Sequence, residues 1–170
     1  AGRKARFAGA ETRSMAIAAI RATRESVIED GGERHEVLVG TPAKGEVLAF
    51  DAATGKEAWK VRVSSEVLAA PAVGGDNLVV VRSGDSRIFA FDTDGKRRWV
   101  FQRTTPSLSL RSQVGVALSG RAVLAGFPGG KLIAVSVANG AALWEATVAV
   151  PKGATELERV ADITSLPVYY

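Results

Sequence analysis

Apolar and polar residues alternate in three short segments of the chain, and each segment runs into a turn that is followed by a tryptophan. The three copies cover residues 45–59, 86–99 and 130–144. Alternation with a period of two predicts strands, because successive side chains of a strand point to opposite faces. Each turn closes with a glycine, which adopts positive φ without penalty, and the tryptophan stands four residues later. These residues are Gly55, Gly95, Gly140, Trp59, Trp99 and Trp144.

The three predicted hairpins recur at a regular interval. Their tryptophans are 40 and 45 residues apart, a spacing that indicates one supersecondary unit copied along the chain. Two more strands are predicted before the second hairpin, at 68–73 and 78–81, and two before the third, at 114–118 and 122–127. Four short antiparallel strands per unit are typical of a β-propeller blade. We therefore predict an all-β chain that forms a partial β-propeller of about three to four four-stranded antiparallel blades.

The tryptophan has the same place in every predicted unit. A large ring at a fixed position favours a packing wedge between neighbouring sheets over a platform for a ligand. We therefore assign the tryptophans and the turn glycines a structural role in the repeat.

The repeat covers residues 35–170, and the first 34 residues differ from it. We predict blades at about 35–64, 65–104 and 112–149, and the start of a further blade at 164–170. Residues 1–34 contain no Gly-x-x-x-Trp unit and are predicted to be an irregular or degenerate basic N-terminal arm. A degenerate blade, an extension and a segment foreign to the propeller all remain open. Because open flanks expose strand edges, we expect a fragment of a longer protein or a chain that pairs with another piece.

The composition excludes several classes of function. With 46% hydrophobic and 24% charged residues the sequence is that of an ordinary globular protein, and no apolar run is long enough to span a bilayer. The absence of cysteine excludes disulfides, thiol catalysis and cysteine metal ligands in these residues. The net charge is only +4, and the basic arm has Phe7 as its one aromatic residue. We therefore expect no nucleic-acid partner. The single histidine, His35, is interpreted as a surface or strand-edge residue.

Two segments between predicted blades carry the functional signal, because connecting loops vary without disturbing the packed strands. Residues 103–111 place Leu108 and Leu110 beside Arg111, where a hydrophilic link would suffice. Residues 151–163 form the corresponding junction after the next blade. Leucines beside an arginine indicate a protein-binding surface, and the alternative is that they fold back onto their own blade. The residues alone leave both readings open.

The repeat and the two loops resemble those of a known family. The pattern Ala-x-Asp-x-x-Thr-Gly-x-x-x-Trp, best preserved at 49–59, is similar to the repeat of quinoprotein-type eight-bladed propellers. The loops Pro-Ser-Leu-Ser-Leu-Arg at 106–111 and Gly-Ala-Thr-Glu-Leu-Glu-Arg-Val-Ala-Asp at 153–162 resemble those of the BamB family of outer-membrane assembly lipoproteins. The resemblance covers roughly residues 36–170, under half of a full-length member, and implies a presumed ring of eight blades.

The resemblance also implies a function. It indicates a non-enzymatic scaffold without a cofactor, located in the Gram-negative periplasm on the inner face of the outer membrane. Its partner would be BamA, through the POTRA domains, with unfolded outer-membrane proteins as further clients. The family's contact residues correspond to Leu108, Leu110, Arg111 and Asp162, whereas Thr164 stands where the family has a second aspartate. The family's lipidated cysteine has no counterpart here, so membrane association would require an anchor outside these residues.

Two further readings come from the same fold. A fragment of a quinone-dependent (PQQ) dehydrogenase would need converging carboxylates for a quinone and a calcium ion, but Asp51 and Asp92 belong to predicted turns. Catalysis would then have to come from outside these residues. The exposed flank of a partial propeller also offers strand edges on which extended clients could add by β-augmentation, a role compatible with a scaffold.

Overall fold

The structure of the protein is a computed structural model. It describes residues 37–40, 45–51, 54–74, 78–103 and 114–150, together with Ile163 and Pro167. The loop residues predicted to bind a partner and the basic arm lie outside the described residues, as does most of the predicted strand at 164–170.

Eleven β-strands make up the regular secondary structure of the described residues, which include no helix. The strands are β1 (Val37–Gly40), β2 (Glu46–Asp51), β3 (Glu57–Arg62), β4 (Ala72–Gly74), β5 (Leu78–Arg82), β6 (Ile88–Phe91), β7 (Arg97–Phe101), β8 (Val116–Ser119), β9 (Ala122–Phe127), β10 (Lys131–Ser136) and β11 (Ala142–Thr147). They form three antiparallel sheets whose strands lie side by side in chain order. The first sheet contains β1–β3, the second β4–β7 and the third β8–β11.

The four-stranded unit predicted from the repeat is confirmed in the second and third sheets. The first sheet has three strands within the described residues. One predicted boundary is wrong: the strand expected at 68–73 begins at Ala72. Pro71 precedes it, and proline supplies no N–H to a ladder and is confined to strand ends and edges, so the apolar residues before it do not extend the strand.

The middle sheet is buried on both faces, which explains the uninterrupted apolar run of β5. Val79 and Val81 belong to a core cluster shared with the first sheet, whereas Leu78 and Val80 belong to one shared with the third sheet. Successive residues of one strand therefore fill two different interfaces, as a period of two requires. The three sheets are stacked face to face in chain order.

The inner and outer strands of the second and third sheets differ in exposure. The innermost strands of the second and third sheets lie beside each other, where Leu118 of β8 packs against Gly74 of β4. The last strands, β3, β7 and β11, carry mostly exposed residues. Stacked sheets with an inner and an outer edge are the arrangement of propeller blades. The predicted all-β fold with antiparallel blades is confirmed.

Candidate partner-binding site

Two of the three repeated tryptophans lie between neighbouring sheets. Trp59 of the first sheet donates its indole N–H to the carbonyl of Thr93 in the second sheet. Trp99 of the second sheet is 8% exposed and donates to the carbonyl of Val137 in the third, at 2.8 Å. Each indole thus ties its own sheet to the last turn of the next sheet.

The turn glycines provide the space for these rings. A Cβ at Gly95 would lie 2.8 Å from Cδ2 of Trp59, and one at Gly140 would lie 2.7 Å from Cε3 of Trp99. Both glycines also have positive φ, of 78° and 74°. The two requirements coincide, because only glycine combines this backbone with the absence of a side chain.

The third tryptophan and the first turn glycine differ from these pairs. Trp144 is 48% exposed. Gly55 has φ of 70°, and nothing lies within 4 Å of a Cβ built there. Among the described residues, therefore, the indole of Trp144 lies on no glycine turn, and the turn of Gly55 holds no indole.

The aspartates of the turns act locally. Asp51 accepts hydrogen bonds from the backbone N–H and the hydroxyl of Thr54, both at 2.7 Å. Asp92 accepts from the backbone N–H groups of Asp94 and Lys96, at 3.1 and 2.8 Å. Carboxylates engaged in this way stabilise turns. Among the described residues no three His, Cys, Asp or Glu side chains lie together in a group able to hold a metal ion.

The first candidate loop, 103–111, belongs to the segment between β7 and β8, and the start of this segment is tied to the third sheet. Arg103 forms a bidentate ion pair with Glu145 of β11. Its Nη1 donates to Oε2, and its Nη2 donates to Oε1 at 3.3 Å. Lys131 of β10 approaches the same carboxylate at 3.2 Å and donates to Thr147 at 2.8 Å. Such bidentate contacts fix orientation as well as distance. A groove of about 360 Å³, lined by Arg103 and Leu143 among others, opens beside this ion pair.

The end of the segment between β7 and β8 is tied to the second sheet. Arg82 is 6% exposed, and its guanidinium donates to the carbonyl of Val114 at 3.3 Å. The same guanidinium lies over the ring of Phe127, 5.0 Å from its centroid. Arginine contacts therefore hold both ends of this segment to the sheets: Arg103 at its start, and Arg82, which binds Val114, at its end.

The second candidate loop is anchored by glycines. The carbonyl of Gly130 accepts hydrogen bonds from the N–H groups of Val148 and Ala149, at 2.8 and 3.3 Å. At the far end Ile163 packs so closely on Gly126 of β9 that a Cβ there would lie 2.5 Å from its Cγ2. Asp162 precedes Ile163 in the sequence. Each loop thus follows the last strand of a sheet, β7 or β11, and the residues at both of its ends contact the sheets.

The predicted contact residues Leu108, Leu110, Arg111 and Asp162 lie outside the described residues, as does Thr164. The structure instead identifies residues that hold the loops. Arg82, Lys131 and Glu145 were not singled out from the sequence, because their partners stand far away along the chain. The one available signal was the arginine within the apolar strand β5.

Replacing Glu145 with glutamine is expected to lower the melting temperature slightly at pH 7. The hydrogen bond from Arg103, followed by that from Lys131, lowers the pKa of Glu145 below its usual value of 4.5. A lowered pKa in the folded state stabilises the protein above the unfolded value, and this stabilisation is lost as the pH falls through the lowered pKa. The difference from the parent should therefore shrink below about pH 4.5 and disappear in stronger acid, as thermal unfolding at several pH values would show.

Replacing Glu57, an exposed residue of β3, with glutamine provides the control for Glu145→Gln and should leave the melting temperature nearly unchanged. An equal loss at pH 7 and in strong acid would contradict a role for the Arg103–Glu145 ion pair.

The stacked antiparallel sheets, joined by tryptophans that lie on glycine turns, define part of a β-propeller built from tryptophan repeats. Residues 11–170 match the family model described as outer membrane protein assembly factor BamB, and the chain belongs to this family. The described residues include no helix long and apolar enough to cross a membrane.

Individual relatives agree with this assignment. The BamB of Nitrosomonas eutropha is 54% identical over 78% of this chain and 32% of its own length. The BamB of Bordetella pertussis is 48% identical over 81% of this chain and 35% of its own. The chain thus spans about a third of the length of these curated relatives. The crystal structure of BamB from Moraxella catarrhalis matches with a TM-score of 0.72 and 30% identity, over 79% of this chain and 41% of that one.

Proposed function

We propose that this chain is part of a non-catalytic scaffold that assists the assembly of outer-membrane β-barrel proteins in the periplasm. In this proposal the two inter-blade loops bind the POTRA domains of BamA. The supporting observation is that the loops resembling those of the family start and end at residues held to the sheets. The relatives are named outer membrane protein assembly factors, which favours a scaffold over an enzyme.

The anchored ends support a binding role for physical reasons. A flexible loop loses conformational freedom when it binds, and this loss weakens the complex. The ion pair of Arg103 with Glu145 and the hydrogen bond from Arg82 to Val114 restrict the first loop at both ends before any partner arrives. The contacts of Gly130 and Gly126 restrict the second loop in the same way. Less ordering is then required on binding.

The predicted contact residues have suitable chemistry. Leu108 and Leu110 would each contribute about 1.5–3 kcal/mol if a partner covered them fully. Arg111 would donate two parallel hydrogen bonds to a carboxylate or donate to backbone carbonyls. Asp162 would accept from a basic group of the partner or pair internally with Arg111 or Arg159. Apolar anchors beside an arginine are typical of the residues that dominate protein interfaces.

The double variant Leu108→Ala with Arg111→Ala is expected to weaken binding to purified BamA POTRA domains at least tenfold. It should leave the melting temperature unchanged, because both residues fall between β7 and β8 in the sequence. The dissociation constant is measured by titration calorimetry or by biolayer interferometry. In the matched control, Arg98→Ala with Val100→Ala, the same kinds of side chain are removed from the exposed residues of β7. Unchanged binding by the first variant would remove the assignment.

A further inference from the structure

One residue of positive φ precedes the hairpin strands of each sheet. It is Gly45 in the first sheet, Ser86 in the second and Gly130 in the third, with φ of 71°, 63° and 69°. Each stands four residues before the alanine that pairs with the tryptophan of its hairpin. Ser86 is the one residue other than glycine with positive φ among the residues that the structure describes. Because this backbone is unfavourable for a residue with a side chain, the serine is a candidate for a functional role.

At both glycines the chain that leaves the last strand of the sheet lies directly on the turn. In the first sheet the N–H of Val63 donates to the carbonyl of Gly45 at 3.0 Å, and a Cβ at Gly45 would lie 2.8 Å from the carbonyl oxygen of Ser65. In the third sheet the N–H of Ala149 donates to the carbonyl of Gly130 at 3.3 Å, and the carbonyl oxygen of Ala149 occupies the place of a Cβ there. This path therefore requires a residue without a side chain in the turn.

The second sheet has a side chain in this turn, and its last strand leaves the ladder earlier. The pairing of β6 with β7 ends at Ile88 and Phe101, whereas the corresponding ladders of the other two sheets continue for one more pair. Among the described residues no backbone hydrogen bond joins Ser86 to Arg103, although the counterparts of these residues are bonded in both other sheets. Arg103 instead holds Glu145 of the third sheet.

We propose that the Cβ of Ser86 keeps the chain after β7 off the turn of its own sheet and thereby positions the first candidate loop for its partner. The sequence left open whether Leu108 and Leu110 face a partner or fold back onto their own blade. A glycine in place of Ser86 would allow the second path, which the equivalent chains of the other sheets begin by crossing their turns. This inference rests on the proposed function, because the loop that Ser86 positions is the proposed site for BamA.

The variant Ser86→Gly tests the proposal in the 170-residue chain. Hydrogen exchange followed by mass spectrometry should show new protection of the amide of Arg103, which would donate to the carbonyl of residue 86. Binding to purified BamA POTRA domains should weaken by about fivefold or more, since the bound position of the loop then competes with a folded-back one. The melting temperature should not fall, because glycine adopts positive φ without penalty. A merely structural role of Ser86 would lower it.

The matched control is Ser86→Ala, which removes the hydroxyl and retains the Cβ. It should keep the amide exchange and the affinity of the parent. The proposal would be overturned by unchanged exchange at Arg103 in Ser86→Gly, by equal effects of the two variants, or by new protection without loss of affinity. The double variant Leu108→Ala with Arg111→Ala tests the proposed function separately. If that variant binds like the parent, the proposed function fails, whereas the exchange at Arg103 still decides whether Ser86 holds the chain off its turn.

Discussion

Replacing Trp99 with alanine is expected to lower the free energy of unfolding by about 3–5 kcal/mol, the range found when a buried aromatic residue is removed from a core. Trp99 is 8% exposed and belongs to the cluster between the second and third sheets. Its loss would also leave the carbonyl of Val137 without its indole donor. The change is measured by urea unfolding followed by circular dichroism.

Trp144→Ala is the matched control, since it removes the same side chain from the same position of the next hairpin. With 48% of its surface exposed, Trp144 should contribute about 1 kcal/mol or less. Equal losses in the two variants would show that Trp99 does not join the sheets.

Replacing Gly140 with alanine is expected to lower the free energy of unfolding by about 2–5 kcal/mol, because two penalties add. An L-residue with a side chain pays roughly 1–2 kcal/mol for the left-handed backbone, and Gly140 has φ of 74°. The added methyl group would also meet the indole of Trp99, with Cε3 2.7 Å away. Relief of such overpacking costs about 1–3 kcal/mol more. The free energy is again measured by urea unfolding.

Gly120→Ala separates the two penalties of Gly140→Ala. Gly120 has φ of 54°, but nothing lies within 4 Å of its added Cβ. This variant should therefore lose only the conformational part, about 1–2 kcal/mol. A loss at Gly120 as large as that at Gly140 would mean that the contact with the indole adds nothing.

Much of the fold could be predicted from local patterns. The alternation around Val47, Ile88 and Ile133 and the glycine turns that follow them predicted the hairpins, and the structure has strands at all three places. The strand predicted at 68–73 begins only at Ala72, directly after Pro71. Apolar character indicates burial, but a strand also needs N–H groups for its ladder.

The candidate site could be predicted only in part. The resemblance of the loops indicated Leu108, Leu110, Arg111 and Asp162, which remain predictions. The residues that anchor the loops could not be found in this way. Arg103 and Glu145 are 42 residues apart, and Arg82 and Val114 are 32 apart. Charged residues are common in any sequence, and nothing local shows which partner each of them will meet.

The sequence by itself determined the strands, the turns, the recurrence of one unit and the family. These properties depend on alternation and on glycine at a few positions, which act over a handful of residues. Only the tertiary structure decided which residues at equivalent positions of the repeat are buried and which are exposed. Trp99 and Trp144 stand at the same place in their repeats, yet one is buried and the other half exposed. The physical reason is that burial depends on the neighbouring sheet, which Trp99 has among the described residues and Trp144 lacks.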